Sequence, residues 1–275
     1  MLDIILLIMG IGGFGLASYL DLKYTEFPDW LPYGMIASIL LFRAAFSVYY
    51  WEFSGLFQSI IFGLGFLVFG LIFYFLKQWG DGDAWLLGVM GFLFPNSMFQ
   101  LKSAVIPDFL SIIINFFLIS FFYIIVYSVA IGWNKPDVKK IFYSKLKGEG
   151  KICVILGFVF LLVYSVFIIY TIPFSLFSVK GIIMQAILPV LMVFSIIFFY
   201  YAKAVESKLF RKKIKASDLR VGDVIIGSRW KGLTELDVKK LKKKGGHFWI
   251  KEGVRFAPVY LITLIVSIII GSLIF

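Results

Sequence analysis

Cysteine and histidine are nearly missing from this chain of 275 residues: Cys153 is its single cysteine and His247 its single histidine. One thiol permits no disulfide framework and no paired CxxC zinc site. A lone imidazole speaks against a histidine-based metal centre and against a Ser/His nucleophile, so serine-triad and zinc-protease chemistry are set aside. Acids are also scarce, 16 Asp and Glu against 27 Lys and Arg for a net charge of +11, and the hydrophobic segments contain almost none of them. A carboxylate at the edge of such a segment is expensive and therefore points to a function.

What the chain has in abundance is apolar surface. With 61% hydrophobic residues, 16% charged residues and a mean hydropathy of +0.95, it reads as an all-α polytopic membrane protein. Eight apolar runs approach the roughly 18 residues that a bilayer-spanning helix needs: 2–20, 30–50, 55–77, 84–101, 108–132, 152–172, 181–202 and 255–275. The run 84–101 is the weakest, since Pro95 and Asn96 interrupt it, so about 6–8 transmembrane helices are expected. The first run lacks a basic leader region and a small-residue cleavage site, and reads as a retained span.

Charge sets the expected orientation. Lys23, Lys77, the lysines from Lys135 to Lys151 and the dense run from Lys203 to Arg255 all fall on one face if the first helix enters from outside. Only Arg43, Lys102 and Lys180 are left for the other face. The positive-inside rule then puts the N-terminus outside and the basic loops in the cytoplasm, in a cell membrane. The positive charge is read as this bias plus attraction to anionic lipid, with no nucleic-acid role. Four regions follow: a membrane core over 1–107, further helices with a basic loop at 133–151 over 108–203, a basic cytoplasmic α+β element over 204–253, and a last helix over 254–275.

Two acids stand at membrane borders. Asp21 ends the first apolar run, and the turn Gly80-Asp81-Gly82-Asp83 lies at the seam between the third and the fourth. Two crossings separate them, so both belong to the cytoplasmic border and can form a pair. Carboxylates held close in a partly desolvated site share a proton. The ionised member takes a proton from water while the protonated one polarises the scissile carbonyl, which is peptide hydrolysis without a metal. Gly80 and Gly82 suit a sharp turn that lets a substrate strand approach. The other reading makes Asp83 an N-cap for a helix starting at Ala84 and Asp81 a solvated turn residue.

Gly80-Asp81-Gly82-Asp83 is a G-x-G-D sequence. With Asp21-Leu22-Lys23 closing the first helix ahead of Pro28-Asp29, it resembles the GxGD aspartyl proteases, and among them the prepilin and preflagellin signal peptidases. The resemblance covers about residues 1–95. It implies a catalytic dyad of Asp21 and Asp83, an active-site loop of Gly80, Asp81 and Gly82, and no metal or organic cofactor. The chain lacks the paired CxxC insertion of the bacterial, N-methylating branch and is similar to the archaeal type, whose substrates are archaellin and type IV pilin-like precursors. Eight spans exceed the six expected of that family, and Thr25-Glu26-Phe27 stands where a basic residue and an aliphatic are commoner. The presenilin and signal-peptide-peptidase branch pairs GxGD with Tyr-Asp and Pro-Ala-Leu motifs. Here Leu20 precedes Asp21, and the nearest analogue of the second motif, Phe256-Ala257-Pro258, has the wrong order.

Around the two turns, Asp21, Glu26 and Asp29, then Asp81 and Asp83, form acidic islands on a basic face. Leaders of this family's substrates carry a short basic stretch before the cleavage site, so Glu26, Asp29 and Asp81 are candidates for seating it; the alternative is that they are solvated loop acids. Near the C-terminus, Leu219–Gly227 reads as a strand pair or turn. Leu233–Lys244 reads as a short helix capped by Thr234 and Asp237, stopped by Gly245-Gly246 and lying on the membrane surface. Gly222-Asp223 is read as structural. Trp30, Tyr49, Tyr50, Trp51, Trp79 and Trp133 read as interfacial anchors. A transporter is the competing class, but the phenylalanine-rich later spans offer no ion relay.

Overall fold

A computed structural model describes residues 2–76, 78–94, 108–171, 179–219, 222–227, 232–251 and 253–273. In hydrocarbon each backbone N–H and C=O must find an internal partner, so the apolar runs become helices. In chain order these are α1 (Leu2–Tyr24), α2 (Trp30–Tyr50), α3 (Ser54–Phe75), α4 (Asp81–Leu93), α5 (Asp108–Gly132), α6 (Pro136–Lys147), α7 (Glu149–Thr171), α8 (Val179–Leu209), α9 (Glu235–Lys244) and α10 (Pro258–Ile269). Three short strands, β1 (Arg211–Lys215), β2 (Val224–Ile225) and β3 (His247–Lys251), and a 3-10 turn at Ala216–Asp218 complete the elements of the described residues.

Six of the eight expected spans are long and apolar enough to cross a membrane, namely α1, α2, α3, α5, α7 and α8. The protein is thus an all-α polytopic membrane protein with few strands. The fourth and eighth runs form shorter helices of 13 and 12 residues. At 1.5 Å per residue each reaches only about 20 Å, short of a bilayer core of about 30 Å. The remainder of the expected span 84–101 lies outside the described residues beyond Phe94.

The chain divides into two compact units. The first comprises residues 1–123, 228–231 and 252–275, and the second residues 124–227 and 232–251. In the first unit α4 is enclosed: from Leu86 to Leu93 every residue is buried. Its close neighbour is α3, and glycine makes the approach possible. A Cβ on Gly70 would stand 2.9 Å from the Ala84 Cα, and one on Gly91 2.6 Å from the Phe62 carbonyl oxygen. Small residues that let backbones meet are the usual basis of helix pairing in lipid. The buried end of α4 is capped from its neighbours. Ser59 of α3 donates to the Phe92 carbonyl at 2.5 Å, and Arg43 of α2 donates to the Leu93 carbonyl at 3.0 Å. A helix can stop inside a membrane protein only when its last carbonyls are satisfied in this way. Arg43, 4% exposed, is therefore a buried helix cap as well as a residue of the less basic face.

α10 is held against α5 by the amide of Asn115, which donates to Ser267 Oγ at 3.0 Å and to the Gly271 carbonyl at 2.7 Å. The same side chain accepts the Leu273 N–H at 2.9 Å. At the other end of α10, the Tyr123 hydroxyl donates to the Arg255 carbonyl at 2.6 Å.

In the second unit α8 packs against α6 and α7 around Val138, Ala204 and Val205. The strands form an antiparallel sheet in the order β1-β3-β2, whose core is Ala216, Leu219, Val238 and Ile250. The expected helix is α9, with the Thr234–Asp237 capping box formed and Gly245 at φ 67° closing it. Among the described residues of Leu219–Gly227, Val224 and Ile225 are strand, and they pair with β3. Of the expected interfacial aromatics, Trp30, Tyr49, Tyr50, Trp51 and Trp133 are exposed. Trp79 instead packs on Phe73, Phe116 and Phe256 at centroid distances of 4.7, 5.7 and 6.2 Å.

Candidate active site

Asp21 lies in the last turn of α1 and is 6% exposed. The helix ends three residues later at Tyr24, and just beyond it the Thr25 N–H bonds the Asp21 carbonyl at 2.8 Å while Thr25 takes φ 65°. A β-branched residue in the left-handed region is uncommon and costs about 1 kcal/mol or more. The break turns the chain sharply directly after Asp21.

The GDGD turn opens α4. Gly80 is its N-cap, in extended conformation at φ −72° and ψ 160°, with the Asp83 carboxylate close beside it. Asp81 and Asp83 both fall in the first turn, where the helix dipole favours negative charge. Asp83 is thus a first-turn residue and not the N-cap before Ala84. Asp81 is exposed, its Oδ1 accepting the Gly82 N–H at 2.9 Å.

The two turns touch. Phe27, from the turn after Asp21, lies so close over Gly82 that a Cβ there would stand 2.7 Å from the ring. Tyr33 of α2 meets Trp85 of α4 edge-on at 4.6 Å. Glu26 and Asp29 flank Phe27 and are both exposed. Asp21 and Asp83 are near enough for the charge of one to act on the other. All seven residues singled out in the sequence therefore sit in two adjoining turns. Among the described residues, no three His, Cys, Asp or Glu side chains gather as a metal-ligand set.

One element at the site escaped the sequence. The segment leading into α10 lies across both aspartates: the Ala257 N–H donates to Asp21 Oδ2 at 2.9 Å, and the Tyr260 hydroxyl donates to the Asp83 carbonyl at 2.7 Å. The Arg255 charge faces the Asp21 carboxylate. Phe256-Ala257-Pro258 is thus placed at the two acids, whatever its order relative to Pro-Ala-Leu. The signal available in sequence was that three-residue likeness alone. A separate apolar cleft between α1 and α2, lined by Met9, Leu31, Met35 and Ile39, does not include either aspartate.

No curated protein and no solved structure matches the chain. Residues 8–129 match the Type IV leader peptidase family. That stretch, somewhat under half of the chain, holds Asp21 and the whole Gly80–Asp83 turn and leaves out α10, and over it the chain is similar to the type IV leader peptidases.

Proposed function

We propose that the protein is a membrane-embedded aspartyl endopeptidase that removes the short basic leader of type IV pilin-like or archaellin precursors at the cytoplasmic membrane border. The observation that carries this reading is that Asp21 and Asp83 lie in two adjoining turns within the family segment, both bonded by the run into α10. They belong to different helices, in a setting where isolated acids are costly. The ionised carboxylate takes a proton from water, and the water oxygen attacks the scissile carbonyl carbon. The protonated carboxyl gives its proton to the carbonyl oxygen. The tetrahedral diol then collapses, the C–N bond breaks, and the leaving nitrogen receives a proton. The chain's own residues supply each proton-transfer partner, so no cofactor enters.

Substrate and orientation follow from charge. Glu26, Asp29 and Asp81 are exposed around the site, where they would attract the lysines and arginines of a leader. The basic surfaces of β1 and α9, with Arg211, Lys212, Lys213 and Lys240 exposed, suit the anionic cytoplasmic leaflet. Reversing Glu26 and Asp29 to lysine should raise KM for a Lys-rich leader far more than for a neutral one; equal effects would remove the seat.

The reading itself is tested by leader cleavage of a candidate prepilin in membranes carrying wild-type, Asp21→Asn or Asp83→Asn protein at matched levels. Loss of cleavage in each variant is expected. Cleavage retained by either would overturn the dyad.

A further inference from the structure

We infer that the first turn of α10 with the residues leading into it, Arg255 to Tyr260, is a working part of the active centre, with the Ala257 N–H and the Tyr260 hydroxyl as positioning groups. This rests on the proposed dyad. It goes beyond it because α10 lies outside the segment that matches the family.

Both partners lack something the other supplies. The first N–H groups of any helix have no partner within it, and Asp21, 6% exposed, needs donors to lie where it does. Each answers the other: Ala257, fully buried, donates to Asp21 Oδ2 at 2.9 Å. One turn on, Tyr260 donates to the Asp83 carbonyl at 2.7 Å. Its ring stacks on Phe14 of α1 at 6.0 Å and tilts against Phe116 of α5 at 5.1 Å. A single helical turn therefore fixes the carboxylate of one aspartate and the backbone of the other. That turn is itself anchored, by Tyr123 at the Arg255 carbonyl and by Asn115 at the far end of α10. Productive geometry of a catalytic pair has a tolerance of about 0.5 Å. A caliper fixed at both ends is what holds two carboxylates from α1 and α4 within it.

Ala257→Pro is a selective probe. Ala257 already has φ −53°, within proline's range, so the change deletes the N–H at an unaltered φ but adds two ring carbons at a fully buried position, and cleavage is therefore read per folded molecule. In full-length protein reconstituted in liposomes, with a basic-leader prepilin as substrate, Ala257→Pro should lower kcat by about ten- to a hundred-fold and leave KM unchanged. Ala257→Gly, which keeps the N–H, should recover most of that loss. Tyr260→Phe, which keeps the ring, should lower kcat by about ten-fold at constant KM. If Ala257→Pro unfolds, Tyr260→Phe decides. Wild-type kcat in Tyr260→Phe, or a loss in Ala257→Gly equal to that in Ala257→Pro, would overturn the inference. Inactive Asp21→Asn and Asp83→Asn beside fully active Ala257→Pro and Tyr260→Phe would sink the caliper and leave the dyad standing. Active aspartate variants would sink the dyad itself.

Discussion

Gly70→Ala adds one methyl group where α3 meets α4, and the structure states what it must displace. The new Cβ would lie 2.9 Å from both the Cα and the carbonyl oxygen of Ala84. Ordinary carbon contacts are about 3.5–4.0 Å, so the two helices have to part by about 0.6–1 Å. Both opposing atoms are backbone and cannot rotate away. Overpacking of this kind costs about 1–3 kcal/mol. The displacement also falls beside Asp83, and a misplacement of about 1 Å at reacting groups can cost about a hundred-fold in rate. Two glycines of the same helix serve as controls. Gly65 has nothing within 4 Å of its would-be Cβ, whereas a Cβ on Gly63 would meet the ring of Phe92 at 2.3 Å, at the end of α4 away from Asp83. Thermal unfolding in detergent and cleavage per folded molecule separate the effects. Gly65→Ala should match wild type in both, Gly63→Ala should lose stability with its cleavage largely kept, and Gly70→Ala should lose both. A Gly70→Ala protein as stable and active as Gly65→Ala would refute the close packing and its link to the dyad.

Three further outcomes are expected. Arg43→Met leaves the Leu93 carbonyl without its 3.0 Å donor and should destabilise by about 1–3 kcal/mol, read as a lower unfolding midpoint; an unchanged midpoint would show the cap to be dispensable. Asn115→Leu removes the bonds to Ser267, Gly271 and Leu273, a loss of roughly 2 kcal/mol at about 0.6 kcal/mol per interhelical bond in lipid. Hydrogen exchange at the end of α10 should rise in that variant, and unaltered protection would count against the anchor. The Lys208 ammonium, 2.8 Å from Asp137, holds that carboxyl below its ordinary range. Any stability from this pair is therefore present above the unfolded pKa and lost as the pH falls through the folded one. Since the side chains are 48% and 61% exposed, Asp137→Asn should leave the midpoint at neutral pH unchanged.

Asp21 and Asp83 were legible because acids stand out against apolar runs, and because counting two crossings brings them to one face. The Thr234–Asp237 box was legible because a capping box is a local pattern within four residues. The contribution of α10 was hidden: Phe256-Ala257-Pro258 carries no charge, and the bond from Ala257 to Asp21 spans 236 positions. Arg43 looked like an ordinary charge of the sparsely basic face, because nothing in its own helix records that α4 ends against it. Hydropathy alone ran the fourth span on to residue 101, since an apolar run does not reveal where Ser59 and Arg43 cap a helix. The pairing of β1 with β3 joins Arg211 to Lys251 across α9, a contact that no local pattern announces.

The two short helices of the first unit share one physical problem, and its solution bears on how the aspartates must be tested. A helix that stops within protein at membrane depth exposes unpaired groups at each end. α4 meets this with Asp81 accepting the Gly82 N–H at one end and with Ser59 and Arg43 at the other. α10 meets it with Asn115 at its C-terminus and with Asp21 at its N-terminus. Asp21 is thus a cap as well as a proposed catalytic group, and substitutions there divide into two kinds. Asp21→Asn keeps an acceptor oxygen for the Ala257 N–H and removes the charge, so its loss of cleavage reports on chemistry. Asp21→Leu also strands the N–H group of Ala257, at about 1–3 kcal/mol for a buried group left unsatisfied, and its loss of cleavage would report on folding. A leucine variant no less stable than the asparagine variant would show that α10 does not depend on Asp21 for its cap.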